Sequence, residues 1–240
     1  MGTRQNRDRL KKIENHVKSL QELLVRAYSQ FLFVRPMLAN HTLLKRIAIE
    51  QKTAGFERLR DILYLNLILE LVKICDDKDD RTPSIRTIMQ ALRDPVMLQV
   101  LEDKYARQML PQTCKAGDLI WKVYGRDAEE AGKCKFAVLR ERLFKTADEI
   151  VSSAALQGYA RIRDKLIAHN ELRKSGLGYE FFNIRALKLK FGQERILIEK
   201  VKAVVDDLNS IVRNACFAWD SLFEMEIRDV CKFWEISEIE

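Results

Sequence analysis

From Asn6 to about Val34, the apolar residues Leu10, Ile13, Val17, Leu20, Leu24 and Tyr28 fall at steps of three and four, forming one continuous helical stripe. A stripe of that length constrains the fold more than any other feature, because a long amphipathic helix must lay its apolar face against a neighbouring element. The rest of the chain offers little material for a sheet. Its 240 residues include only 9 Gly and 4 Pro, too few turn-formers for a many-stranded β protein, while 47% hydrophobic residues exclude a disordered chain. The expected fold is an all-α globule.

The pattern continues in the same period. Arg35-Pro36 is expected to interrupt the first helix, because proline cannot donate to the preceding turn. Asn40 should cap a second helix running to about Ala54, before Gly55. From Phe56 the segment FERLRDILYLNLILELVKICDD is the most apolar in the chain, and its polar residues Asn66, Glu70 and Lys73 share one narrow strip. That strip reads as a solvated face with a Glu70 to Lys73 contact.

Further along, the acidic loop DDKDDRTP ends this element, with Thr82 expected as a cap and Pro83 in the following first turn. Short helices are expected near 84 to 93 and 95 to 108, and longer ones over about 127 to 153, 155 to 171 and 193 to 223. The last of these has Ile196, Ile198, Val201, Val204, Val205, Leu208, Ile211, Val212 and Ala215 inward. RKSGLGYE reads as a loop and ALKLKF as a short strand. The expected organisation is one domain, with residues 1 to 54 a helical extension, 55 to 225 a core bundle and 226 to 240 a solvated acidic tail.

No apolar run is long enough for a membrane-spanning helix, and the charged N-terminus lacks the apolar core of a signal peptide, so a cytoplasmic protein without membrane contact is expected. The five cysteines (Cys75, Cys114, Cys134, Cys216 and Cys231) are scattered and never form a CxxC pair. They read as reduced, mostly buried thiols, with neither a zinc site nor a disulfide framework, and no metal or other cofactor is expected. Asp76 to Asp80 lack the glycine and terminal glutamate of a calcium loop.

The net charge of +7 is unevenly spread. Residues 1 to 35 and 173 to 202 each carry eight basic against three acidic side chains, whereas residues 220 to 240 carry two against seven. Two separated basic segments permit a polyanion-binding face, and equally an ordinary solvated surface.

The stretch RDKLIAHNE, residues 163 to 171, sets Arg163 six positions ahead of His169, one of three histidines in the chain. Tyr159, Ile162, Leu166 and His169 share a core-facing stripe, and Arg163 lies on its neighbour. In a straight α-helix the two side chains diverge by ~120° and ~9 Å, so one helix does not aim both at a point unless it bends or a second chain completes the site. Their chemistry suits RNA cleavage. An imidazole titrates near neutral pH, a guanidinium matches two phosphate oxygens, and RNA brings its own nucleophile in the 2′-hydroxyl. His16 and His41 have no comparable context and read as ordinary helix residues.

The block ARIRDKLIAHNEL resembles the signature of the HEPN superfamily, in which an arginine followed by a polar residue precedes a histidine by four to six intervening residues. Here these are Arg163, Asp164 and His169. The upstream run from Phe56 to Asp94, with its hydrophobic helix, acidic loop and serine-containing helix start, resembles the branch related to abortive-infection protein U. Together the similarities cover about residues 56 to 210.

This resemblance implies an up-and-down helical bundle, a homodimer with facing signatures, and a metal-independent endoribonuclease of phage defence or a toxin. By position, His169 would be the acid/base, Arg163 the phosphate clamp, and Asp164 and Asn170 orienting neighbours, with RNA guided by Arg161, Lys165, Arg173 and Lys174. An antitoxin or other regulatory protein is a further implied partner. Glu171 stands where a subgroup of HEPN toxins has a modified tyrosine, which argues against that route of control. The competing expectation is a non-catalytic HEPN-like module that binds a nucleotide, nucleic acid or partner protein.

Overall fold

A computed structural model describes residues 2–108, 125–168, 172–175, 178–181 and 192–239. The described residues are all-α apart from one short hairpin. Its helices are α1 (Gly2–Ala39), α2 (His41–Ile49), α3 (Thr53–Asp76), α4 (Ile85–Leu92), α5 (Pro95–Gln108), α6 (Arg126–Ser152), α7 (Ala154–Ile162), α8 (Gln193–Leu208) and α9 (Trp219–Trp234). Strands β1 (Leu172–Ser175) and β2 (Gly178–Phe181) pair antiparallel, with Arg173 opposite Glu180 and Lys174 opposite Tyr179. The expected loop RKSGLGYE therefore contains most of the two strands, while the expected strand ALKLKF lies outside the described residues. Among the described residues no helix is long and apolar enough to cross a membrane.

Two compact units emerge. The first comprises residues 1–21, 76–151 and 200–217, and the second residues 22–75, 152–199 and 218–240. In the first, Ile13, Val17 and Leu20 of the N-terminal stripe are buried, as are Ile85, Leu101 and Phe136. Gly132 of α6 lets the backbone of α5 approach, since a Cβ there would stand 2.9 Å from Ala106 Cα. Lys104 joins this core's polar edge, donating to Glu14 at 2.5 Å and to the Val212 carbonyl at 2.7 Å.

Every carboxylate of the acidic loop is engaged within this unit. Asp76 binds Arg86, Asp77 accepts the Asp79 N–H at 3.0 Å, Asp79 binds Arg81 and Asp80 binds Lys12. Ser84, not Thr82, caps α4. Its extended backbone and fully buried hydroxyl complete a reciprocal capping box with Thr87, and Pro83 precedes the helix rather than entering it.

The second unit corrects several expectations. Pro36 does not end α1, which continues to Ala39. An interior proline costs about 3 kcal/mol, yet the residues flanking it include Val34 and Met37, both fully buried and each stabilising by about 1.5–3 kcal/mol. Asn40 caps α2 as expected, its Oδ1 accepting the Leu43 N–H at 2.9 Å. Gln51, in the left-handed region at φ 54°, follows the end of α2, and Gly55 lies inside α3. Asn66, Glu70 and Lys73 form the expected solvated strip, with Lys73 bound to Glu70 at 3.2 Å.

The helix expected over 193 to 223 is broken. After α8, a π-helical turn over Asn209–Arg213 ends at Asn214, whose left-handed backbone stops propagation. Helix α9 follows and buries Trp219, Phe223, Val230 and Trp234, so the acidic segment after residue 226 is packed as far as Trp234. Trp234 Nε1 donates to the Phe33 carbonyl at 3.1 Å, and Arg46 ties down the end of α9 through Glu235. On α8, Leu197 is buried and Ile196 is 62% exposed, because Ile196 falls off the line formed by Glu194, Leu197, Ile198 and Val201. Of the four described cysteines only Cys75 is buried, while Cys134 and Cys216 are exposed.

Candidate functional site

Helix α7 positions the signature. Ser153 caps it, its hydroxyl accepting the Leu156 N–H, and Leu156, Tyr159 and Ile162 form its buried face. The chain then departs from the expected α-helix. Arg163–Ala168 wind as a π-helical turn, with hydrogen bonds closing one residue later than in an α-helix. Such turns occur frequently at functional sites, and the straight-helix angles used above do not apply within it. His169, Asn170 and Glu171 lie outside the described residues.

Arg163 is half-buried and bound to its neighbour, its Nε donating to Asp164 Oδ1 at 2.7 Å. That contact engages the Nε edge of the guanidinium, and a guanidinium carries further N–H donors on its two Nη groups, the kind of fork that suits a phosphate. The structure thus joins two expected site residues. Arg161 is exposed and Lys165 half-buried on the same segment, and Arg173 and Lys174 stand on β1.

Behind the signature lies a polar cluster that sequence reading did not single out. Tyr159, one turn before Arg163, is fully buried, and its hydroxyl faces Glu194 Oε2 at 3.5 Å. Tyr64 of α3 reaches the same oxygen at 3.5 Å. Glu194 is only 3% exposed, and both its oxygens also accept the Gly192 N–H, at 2.9 and 3.0 Å. A carboxylate taken so far from water is costly unless donors surround it, and here two hydroxyls and a backbone N–H do so.

Gly192 makes the arrangement feasible, since at φ 96° it turns the chain into α8 through a region that side chains rarely adopt. Burial, followed by the neighbouring Tyr64 and the Glu194 charge, pushes the Tyr159 hydroxyl well above its ordinary pKa. Burial and Glu194 do the same to Tyr64. Both therefore stay protonated donors at neutral pH. A signal for this cluster existed in the sequence: Tyr64 and Tyr159 both carry hydroxyls on apolar stripes, and a buried hydroxyl needs a partner. That the partner is Glu194 was not legible.

Among the described residues no group of three or more His, Cys, Asp or Glu side chains is placed to hold a metal ion. Against known proteins, the model of the family HEPN_AbiU2, described as AbiU2, matches residues 10–233, including the whole signature and the Tyr64, Tyr159 and Glu194 cluster. No curated protein and no solved structure matches the chain.

Proposed function

The chain belongs to the AbiU2 family of HEPN proteins, and from that premise we propose that it is a metal-independent endoribonuclease of abortive infection, acting as a homodimer. The family match across Arg163 to His169 carries this reading. The half-buried Arg163, held at its Nε by the neighbouring Asp164 carboxylate on a π-helical turn, supports it.

In the proposed reaction, the 2′-hydroxyl of RNA attacks the adjacent phosphorus and the 5′-oxygen leaves, giving a 2′,3′-cyclic phosphate and a 5′-hydroxyl end. His169 moves the proton, as base toward the 2′-hydroxyl or acid toward the leaving oxygen. Arg163 binds the non-bridging oxygens and stabilises the charge that builds on them. Asp164 and Asn170 orient these two side chains, and Arg161, Lys165, Arg173 and Lys174 guide the strand. A second chain brings its own signature to the cleft.

The test is cleavage of a mixed-sequence RNA in EDTA by wild type, Arg163→Ala and His169→Ala, with product ends analysed and mass measured by light scattering. Wild-type-only cleavage to cyclic phosphate by a dimer is expected. Equal cleavage by all three proteins would overturn the assignment. Saturable RNA binding by a folded dimer without turnover would instead favour a non-catalytic binding module.

A further inference from the structure

A cavity of about 280 Å³ in the second unit is lined by Phe31, Arg35, Leu38, Gly192, Glu194 and Arg195. Two guanidinium groups thus share one small cleft. Among the described residues neither is ion-paired with a carboxylate. Arg35 is half-buried near the end of α1, and its guanidinium lies 5.8 Å from the centre of the Phe31 ring, a cation–π contact that restrains it. Arg195, in the first turn of α8, is exposed. Among the described lining residues the one carboxylate is Glu194, and its oxygens accept from Gly192 and the two tyrosines.

The described residues of the cleft therefore set two cations against one anion that already accepts three hydrogen-bond donors. Burial, and after it the charge of Arg195, lowers the Arg35 pKa from the ordinary arginine value, while Tyr28 and Glu194 act in the other direction, so the two cations stand close enough to repel each other. An anion between them would remove that repulsion. The geometry required is that of a tetrahedral oxyanion, which presents separate oxygens to two planar forks.

We propose that Arg35 and Arg195 form a phosphate-binding subsite, one guanidinium on each side of a single phosphate group. The pairing is asymmetric: Arg35, held by Phe31, is the fixed wall, and Arg195 closes on the ligand. The same chemistry serves a phosphodiester of an RNA strand or a free phosphate or phosphomonoester. The site does not depend on the proposed cleavage.

The experiment titrates full-length protein with inorganic phosphate against chloride of matched ionic strength, following the unfolding midpoint and the binding heat. Wild type, Arg195→Gln, Arg195→Lys and Arg35→Gln are compared, each also carrying His169→Ala so that binding is read apart from cleavage. Saturable stabilisation of the parent is expected, with affinity about tenfold or more weaker in Arg195→Gln, and only partly restored in Arg195→Lys, which keeps the charge but lacks the fork. Because Arg195 is exposed, its variants should fold even if Arg35→Gln does not.

A phosphate response identical in the parent and Arg195→Gln, or none in the parent, overturns the proposal. A parallel titration uses a short, fully 2′-O-methylated RNA, which cannot be cleaved. RNA affinity falling together with phosphate affinity in Arg195→Gln assigns the subsite to the RNA backbone. Unchanged RNA affinity with weakened phosphate binding assigns it to a small phosphorylated ligand.

Discussion

Arg163 and Asp164 are consecutive in the chain and bound to each other side chain to side chain, Nε to Oδ1 at 2.7 Å, on a turn that is π-helical rather than α-helical. The pair is partly exposed, so its contribution to stability is about 0–1 kcal/mol. Its value to the proposed site is orientation. Asp164→Ala is expected to leave the unfolding midpoint nearly unchanged while slowing cleavage, and Asp164→Asn, which retains an acceptor, to recover part of the loss. Arg163→Ala is expected to slow the chemical step by about 10²-fold or more. Steady-state cleavage rates beside thermal melts of the same preparations check this; a drop in melting temperature that tracks the loss of rate would refute an orienting role.

The buried tyrosines predict a response to alkaline pH. The Tyr159 hydroxyl has its pKa raised in the folded protein above the ordinary value of 10.0. The stability it contributes is therefore complete below about pH 10 and declines as the pH climbs beyond it, because the unfolded chain loses the proton first. Denaturant midpoints measured from pH 8 to 11 should fall with a slope of up to about 1.4 kcal/mol per pH unit from this residue. Tyr159→Phe should lower stability at neutral pH by about 1 kcal/mol and flatten the alkaline decline. An unaltered decline in that variant would exclude Tyr159 as its source.

Gly192→Ala tests the turn that delivers Glu194. Nothing lies within 4 Å of the position a Cβ would take, so any penalty comes from the backbone at φ 96°. A cost of about 1–2 kcal/mol is expected, seen as a lowered unfolding midpoint. A neutral substitution would show that the backbone can rearrange without disturbing Glu194.

Two glycines inside helices should respond in opposite directions. At Gly132 an added Cβ meets Ala106 Cα at 2.9 Å and Ala106 Cβ at 3.3 Å, so Gly132→Ala forces α5 and α6 apart and should destabilise by about 1–3 kcal/mol. At Gly55 there is open space, and Gly55→Ala should stabilise by about 0.5–1 kcal/mol through helix propensity alone. Chemical denaturation of both variants checks the pair, and a shared direction would count against the packing argument.

Helix content and most buried stripes were legible in the sequence because a period of three to four apolar residues is a local property of the chain. The first stripe, Ile13 through Leu24, is buried as read, and Asn40 caps as read. The errors cluster where local rules met distant partners. Pro36 should stop a helix, yet Val34 and Met37 beside it are buried deeply enough to carry α1 onward. Asn214, which ends the penultimate helical run, is unremarkable until the backbone is seen in the left-handed region.

For the proposed site, the sequence by itself supplied the candidate residues: an arginine, an acidic neighbour and a histidine at a recognisable spacing, at the end of an apolar helical stripe. Tertiary structure alone decided what surrounds those residues. It unwound the signature into a π-helical turn, set Tyr64 and Tyr159 on a carboxylate 130 and 35 residues away, and brought Arg35 and Arg195 into one cleft. The physical reason is range: a helical stripe is written by neighbours within one turn, whereas the partner of a buried polar group is chosen by whichever distant element packing brings within hydrogen-bond reach.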